Sequence, residues 1–349
     1  MTTLPDLPGV LSAEEVAVSA DHLASLQVDT GMIPWFAGGH CDPWNHVEAA
    51  MALDVAGLHA EAEDAYEWLA GVQREDGGWH NYYWPDGSVE EPKLDTNVCA
   101  YLATGVWHHW RCTWDRAFLD HLWPTVERAM DFVLSLRRAD GLALWAIEAD
   151  GSRPWDYALL TGTSSIQHAL RCAASVADIV AEPRPEWAAA ADVMAAAVVE
   201  RPDAFEPKDR WAMDWYYPVL TGALTGEAAK RRLAEGWDTF ALEGKGIRCV
   251  TDEPWVTASE TAECALAFAA IGDRNTASDL LAWTRAHRRD DGAYWTGLVY
   301  DRRRGTPARF PFEEHTSYTA AAVILAADAI AGASPAASLF IPHPTDDDD

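Results

Sequence analysis

Carboxylates and aromatic rings recur in this chain just before, and within the first turn of, alanine-rich segments. The stretch HCDPWNHVEAAMAL, residues 40–53, is the densest case. Asp42 followed by Pro43 reads as a helix N-cap with proline at the first helical position. The next turn and a half carries Trp44, Asn45, His46 and Glu48 before the run becomes apolar. A helix headed into a core opens with so many partner-seeking groups when its start lines a site. Comparable stretches supply His80, Tyr82, Tyr83, Trp84 and Asp95, then Glu148, Trp155 and Asp156, then Asp214, Trp215, Tyr216 and Tyr217. Trp255, Glu260 and Glu263 follow, and last come Trp295, Glu313, Glu314, His315 and Tyr318.

Carboxylates among aromatics are the ingredients of glycoside hydrolysis. In an inverting enzyme one carboxylic acid protonates the leaving oxygen, while a carboxylate about 6.5–9.5 Å away activates water. Trp and Tyr faces, to which Trp35 and Trp145 add, cover the C–H faces of sugar rings, and Asn and His bind hydroxyls. Asp42 and Glu260 are the expected acid/base pair, in either order, with Glu263, Asp95, Asp214 and Glu48 as supporting or alternative carboxylates. Each has a plainer reading. Asp42 and Asp95 could serve only as caps, and Glu260 as the third-position partner of Thr257 in a capping box. His46 and His80 fit hydroxyl binders or satisfied core histidines better than metal ligands, because no HxH or HxxxH cluster exists. No metal or cofactor is signalled, and the chain has no GxSxG, Walker or strand-linked GxGxxG motif.

The elements that must position these groups follow a repeated grammar: amphipathic helix, Gly or Asp turn, tryptophan, loop, cap, Ala-rich helix. The turns REDGGW, RRADGLALW and RRDDGAYW end at Trp79, Trp145 and Trp295, and QVDTGMIPW ends at Trp35. Weaker copies end at Trp211 and Trp255. Amphipathic helices are expected near 13–27, 58–73, 116–138, 185–200, 226–240 and 273–289. Buried helices are expected to begin near Asp42, Asp95, Ser164, Asp214, Thr257 and Thr316, with capping boxes at Ser12–Glu15, Ser164–Gln167 and Thr257–Glu260. A segment such as AAAVILAA, residues 320–327, is apolar all round and belongs inside. Six inner and six outer helices with almost no strand signal describe an all-α (α/α)6 toroid, one domain over 1–349. Its inner helices start at one end, around a central pit.

Composition narrows the partners. A net charge of −29 over 349 residues repels nucleic acid and anionic lipid, so neither is expected as a partner. An acidic disordered tail is expected over about 341–349. No leader peptide or membrane segment is legible, and six scattered cysteines without a CxxC pair read as reduced thiols of a cytoplasmic protein. Eighteen tryptophans and ten tyrosines exceed what packing usually asks for. The oligomeric state is not legible.

VQREDGGW resembles the Gln–Trp repeats of terpene cyclases and prenyltransferases, which also build α/α toroids. Their protonating DxDD matches only the last four residues, and neither a DDxxD diphosphate site nor a zinc trio is present. ALWAIEADGSRPWDYALLTGTSSIQHAL is similar to the third-hairpin region of glucoamylase-like glycosidases; that likeness implies Glu148 as acid and Glu313 or Glu314 as base. A resemblance spanning nearly the whole chain rests on GMIPWFAGGHCDPWNHVEAAMALDVAGLHAEAE, KLDTNVCAYLATGVWHHW, RWAMDWYYPVLTG, PWVTASETAECAL and HTSYTAAAVILAADA, in that order. These blocks resemble the mycobacterial methylmannose polysaccharide hydrolases, endo-α-mannosidases often labelled prenyltransferases. The resemblance implies cleavage of internal α-1,4 bonds in a cytoplasmic 3-O-methylmannose polysaccharide. An isoprenoid cyclase or prenyltransferase-like enzyme and a non-catalytic carbohydrate-binding protein are the alternatives.

Overall fold

Alternation of amphipathic and wholly apolar segments sets the layout. In the computed structural model, which describes residues 3–300 and 306–341, the first half runs α1 (Ala13–Leu26), α2 (Pro43–Val55), α3 (His59–Val72), α4 (Thr96–Ala100), α5 (Leu102–Thr113) and α6 (Arg116–Ser135). The second half runs α7 (Leu160–Val180), α8 (Pro185–Glu200), α9 (Ala212–Leu220), α10 (Gly226–Phe240), α11 (Ala258–Ala270), α12 (Arg274–Trp283) and α13 (Ser317–Ala331). The helices α2, α4–α5, α7, α9, α11 and α13 bury most of their side chains, as their composition requires. Each packs on the next: α2 on α5, α5 on α7, α7 on α9, α9 on α11, α11 on α13, and α13 back on α2. The amphipathic helices lie outside them. α1 sits against α13 and α2, α3 against α2 and α5, α6 against α5 and α7, and α12 against α11 and α13, while α8 and α10 cover α7 and α9.

Two sets of contacts lock this order. An α-helix start leaves N–H groups without intrahelical partners, and here the loop of the next repeat receives one of them. Thr96 N donates to Trp145 O (3.0 Å), Ala212 N to Cys249 O (3.0 Å) and Ala258 N to Thr296 O (3.2 Å). Ser317 N, at the start of α13, donates to Trp35 O (2.6 Å), which joins the last repeat to the first. α2 opens with Pro43, which has no N–H to place. The second set explains the Gln–Trp repeat. Gln27 Nε2 donates to Gly31 O and Glu61 O (2.9 and 2.8 Å), and Gln73 Nε2 to Gly77 O and Thr125 O (2.9 and 3.0 Å). Each glutamine thus pins its own turn onto the next outer helix.

The all-α expectation needs correction. Short antiparallel strands pair the loops that approach the inner helices: β1 (Tyr82–Tyr83) with β2 (Val89–Glu91), and β4 (Ala146–Ile147) with both β3 (Leu94–Asp95) and β5 (Pro154–Trp155). A five-stranded sheet has the order β10 (Ala308–Phe310), β9 (Gly297–Val299), β8 (Trp255–Thr257), β7 (Gly246–Arg248) and β6 (Ala241–Leu242). Strands of two or three residues are too short to leave a period of two in the sequence. The fold is mainly helical with these sheets at one end.

Helix starts were otherwise well marked. The capping box at Ser12–Glu15 forms, whereas the one expected at Ser164–Gln167 does not. α7 starts four residues earlier, at Leu160. Ser164 therefore lies inside the helix with its hydroxyl on Leu160 O, and Gln167 Nε2 reaches Thr221 O. The expected acidic tail beyond residue 341 lies outside the described residues. Among the described residues no helix is long and apolar enough to cross a membrane.

Gly77 has φ +91°, and a Cβ there would sit 2.2 Å from Arg128 O on α6. Gly77→Ala is expected to combine strain and collision, destabilising the fold by about 1–3 kcal/mol. A lowered urea midpoint at unchanged m value would show this.

Candidate active site

The first turns of the inner helices surround a pit of about 520 Å³. α2 brings Asp42, Trp44, Asn45 and Glu48, α11 brings Ser259, Glu260 and Glu263, and α13 brings Tyr318. Loops and short strands add Trp35, Tyr82, Trp255, Phe310 and Glu314. Eleven residues expected from sequence therefore converge: Trp35, Asp42, Trp44, Asn45, Glu48, Tyr82, Trp255, Glu260, Glu263, Glu314 and Tyr318.

Asp42 does two jobs at once. Its Oδ1 caps α2 by accepting Asn45 N (3.0 Å), while Oδ2 accepts the Trp35 indole N–H and Asn45 Nδ2, both at 2.6 Å. Tyr82 and Tyr318 meet Trp35 edge-on, with ring centroids 5.8 and 5.1 Å away. Burial raises the proton affinity of Asp42, and the donors from Asn45 and Trp35 offset part of that rise. Glu260 is held differently. The hydroxyls of Thr257 and Ser259 both donate to its Oε2, the latter at 2.8 Å. The Thr257 side chain makes no bond to the helix backbone N–H groups, so the expected capping box is absent and the threonine serves the carboxylate instead.

Glu48 and Glu263 sit farther along α2 and α11. Glu48 accepts the Trp44 indole N–H (2.8 Å) and the Tyr101 hydroxyl (3.3 Å), and Glu263 accepts the Tyr216 hydroxyl. Burial pushes Glu48 up to about 8, reinforced by the charges of Asp42 and Glu260. Burial also holds Glu263 well above the usual carboxylate range, with the charge of Glu48 adding to it. Several carboxylates crowded in a place poor in water cannot all ionise, and burial favours the protonated forms of Glu48 and Glu263. Burial raises Glu314 as well; it accepts the Thr296 hydroxyl at 3.5 Å.

A side cavity of about 290 Å³ adjoins the pit across Trp44, Trp211 and Met213 and contains Asp95, Trp145 and Asp214. Asp95 caps α4 and accepts the Trp145 indole N–H (2.5 Å), and burial lifts it to about 6. Asp214 accepts the Thr161 hydroxyl (2.6 Å) and is likewise raised by burial.

Other expected residues serve the frame. His46 is buried, with Nδ1 accepting Ile33 N (3.1 Å) and Nε2 bonded to Ala65 O (2.8 Å); burial lowers it to about 4. No ring atom is left for a sugar hydroxyl, so His46 belongs to the core. Tyr83, Tyr216 and Tyr217 are buried too. Trp215 gives its indole N–H to Arg232 O (2.8 Å) and packs on Phe240, beside a further cavity that shares Lys208, Trp211 and Asp214 with the side cavity. His80 bonds Pro92 O and Arg74, while Trp84 stands on the β1–β2 turn near His40. Glu148 sits in the β4–β5 turn, its N–H on Arg153 O, outside the pit. The rival pair of Glu148 with Glu314 is thereby split. Glu313 pairs with Arg309, whose guanidinium lies over Trp295, and His315 packs against Trp295 behind the pit wall. Sequence reasoning overlooked Trp211, Met213, Asn97, Thr161 and Phe310 as lining residues. Trp211 stands in a weak repeat copy, which was its available signal; Phe310 stacks on Trp255 (4.3 Å) through strand pairing that left none.

No protein-family model matches the chain. The MMP endo-(1,4)-3-O-methyl-alpha-D-mannosidase of Mycolicibacterium hassiacum is 47% identical over 340 residues, covering 97% of this chain and 92% of its own. An uncharacterized glycosyl hydrolase of Methanocaldococcus jannaschii, MJ1610, is 26% identical over 84 residues, 24% of this chain and 14% of its own. Among solved structures, a wild-type glycosidase superposes with TM-score 0.71 at 14% identity, covering 94% of this chain and 97% of its own. A D-mannose isomerase does so with TM-score 0.65 at 13% identity, covering 92% and 99%. These two share the fold. The near-full-length identity carries more: this chain is a glycoside hydrolase, and it belongs to the family of the MMP endo-(1,4)-3-O-methyl-alpha-D-mannosidases.

Proposed function

We propose that the chain is an inverting endo-α-1,4-mannosidase acting on 3-O-methylmannose polysaccharide, with Asp42 as general acid and Glu260 as general base. The ring of buried helices inside outer ones is read as one (α/α)6 toroid domain carrying hairpin loops. The observation that carries the mechanism is that both carboxylates face one aromatic-walled pit, Asp42 fixed by Asn45 of its own helix start and by the Trp35 indole, and Glu260 by hydroxyls of its own helix start.

The Asp42 proton passes to the glycosidic oxygen as the C1–O bond breaks. Glu260 takes a proton from a water whose oxygen attacks C1 from the opposite face, giving a β-configured reducing end. Raised proton affinity suits Asp42 to the acid role. Among the described residues both donors to Glu260 reach Oε2, which leaves Oε1 for the water. O-methyl groups remove hydroxyl donors and add carbon, and the pit matches that with Trp35, Trp44, Trp255 and Phe310. Continuation into the side cavity supports cutting within a polymer. Five carboxylates and no Lys or Arg among the described lining residues disfavour a prenyl diphosphate. Six unpaired thiols, five of them buried, fit the reducing cytoplasm.

Glu260→Gln keeps its volume and should fold with an unchanged thermal midpoint. Asp42→Asn keeps an N-capping oxygen but turns an NH2 group toward the Trp35 and Asn45 donors, so it should fold with a lowered midpoint. Each is expected to lose on the order of 10²–10⁴-fold in turnover of the polysaccharide. Asp42→Asn should recover most on an aryl mannoside with a good leaving group, and azide should rescue Glu260→Ala. Near-wild-type turnover by either variant removes that residue from the pair.

Glu48 adds a pH signature. Below about 4.5 its carboxyl is protonated folded or unfolded; between there and about 8 only the unfolded chain ionises, so stability falls as pH rises through that window. Glu48→Gln should flatten that fall, seen as a smaller drop in Tm from pH 5 to pH 8.

A further inference from the structure

Joining one repeat to the next takes a single backbone bond at a helix start, and two of the starts make more. Ala212 of α9 and Ala258 of α11 carry no hydroxyl, and their N–H groups go to Cys249 O and Thr296 O. Thr96 of α4 gives its N–H to Trp145 O and its hydroxyl to the carbonyls of Leu144 and Trp145 (2.6 and 3.1 Å). Ser317 of α13 does the same to another tryptophan. Its N–H goes to Trp35 O (2.6 Å) and its hydroxyl to Pro34 O (2.9 Å). In both doubled cases the clamped tryptophan turns its indole N–H onto a capping aspartate, Trp145 onto Asp95 and Trp35 onto Asp42. The hydroxyl goes with aiming an indole, since the repeats at α9 and α11 join without one.

We propose that Ser317 is a positioning residue for the general acid, holding the Pro34 and Trp35 carbonyls so that the Trp35 indole stays aimed at the Asp42 carboxylate as its proton leaves. The inference rests on the assignment of Asp42 as acid and extends it to a residue at the far end of the chain. Ser317 is only 1% exposed, so it acts through Trp35. Asp42 Oδ2 already accepts the Trp35 indole and Asn45 Nδ2, while Oδ1 accepts one donor, Asn45 N. Oδ1 is therefore the oxygen with room for the transferable proton. When that proton passes to the leaving oxygen, charge appears on a carboxylate whose donors are already in place, which stabilises the transition state without reorganisation. The rest of the segment is fixed to the same end. Ile33 N donates to His46 Nδ1, Trp35 N to His40 O, and Tyr318, next to Ser317, meets the Trp35 ring edge-on.

The test compares kcat/KM on 3-O-methylmannose polysaccharide, whose leaving sugar needs the proton, with kcat/KM on a dinitrophenyl glycoside of a 3-O-methylmannose oligosaccharide, whose leaving group departs without it. Ser317→Ala should lower the first roughly three- to tenfold and leave the second near wild type, the effect of one weakened hydrogen bond. Ser317→Cys keeps the volume with a much weaker donor and decides the matter if Ser317→Ala does not fold. Trp35→Phe should show a larger split, and adding Ser317→Ala to W35F should widen it no further. Equal losses on both substrates, no loss, or a split that still widens in W35F overturns the positioning role. Asp42→Asn is measured beside them. If it shows no split, the acid assignment itself fails; if it does and the Ser317 variants do not, only the positioning role falls.

Discussion

A helix start exposes N–H groups that must find acceptors, and this fold gathers the starts of its buried helices at one end. The next repeat's loop carbonyl takes the leading N–H of α4, α9, α11 and α13. Carboxylates take others, as Asp42 does for Asn45 and Asp95 for Asn97 and Val98. The first arrangement closes the ring through Ser317 and Trp35; the second leaves acidic side chains around the opening. Scaffold and site therefore arise from the same need. Trp35 shows the link directly, since its carbonyl secures α13 while its indole secures Asp42.

Crowding acid groups into one pit would be costly if all were charged. The fold gives them different surroundings. Burial favours the protonated forms of Glu48 and Glu263, which are held by Trp44, Tyr101 and Tyr216. Glu260 is served by hydroxyls of its own helix start. Such a set can keep an acid and a base side by side at one pH, which a pair in identical surroundings could not do. Tryptophan solves the accompanying problem, because its N–H binds a carboxylate while its ring adds apolar wall to the site. Trp35, Trp44 and Trp145 all make that bond.

Much of this was legible in the sequence, for physical reasons that also set the limits. Gly31 and Gly77 must be glycine because they touch the next outer helix at positive φ, so the turns appear as a repeat. Asp42 and Asp95 declared themselves by capping chemistry. What was hidden depends on sideways pairing between repeats: the β8–β9–β10 strands that carry Trp255 and Phe310, and the junction at Trp211. His46 was open to two readings, hydroxyl binder or satisfied core histidine, and its two backbone partners, Ile33 and Ala65, decide for the core. Glu260 was expected to cap and instead receives the hydroxyl that would have capped.

The most direct measurement is proton NMR of the anomeric region during the first turnovers of 3-O-methylmannose polysaccharide. Reducing ends that appear first as the β-anomer, before mutarotation, are the predicted result. They would establish hydrolysis, substrate and inversion in one spectrum. Reducing ends that appear first as the α-anomer would contradict the acid/base account of Asp42 and Glu260. An unchanged spectrum with folded protein would contradict the assignment of substrate.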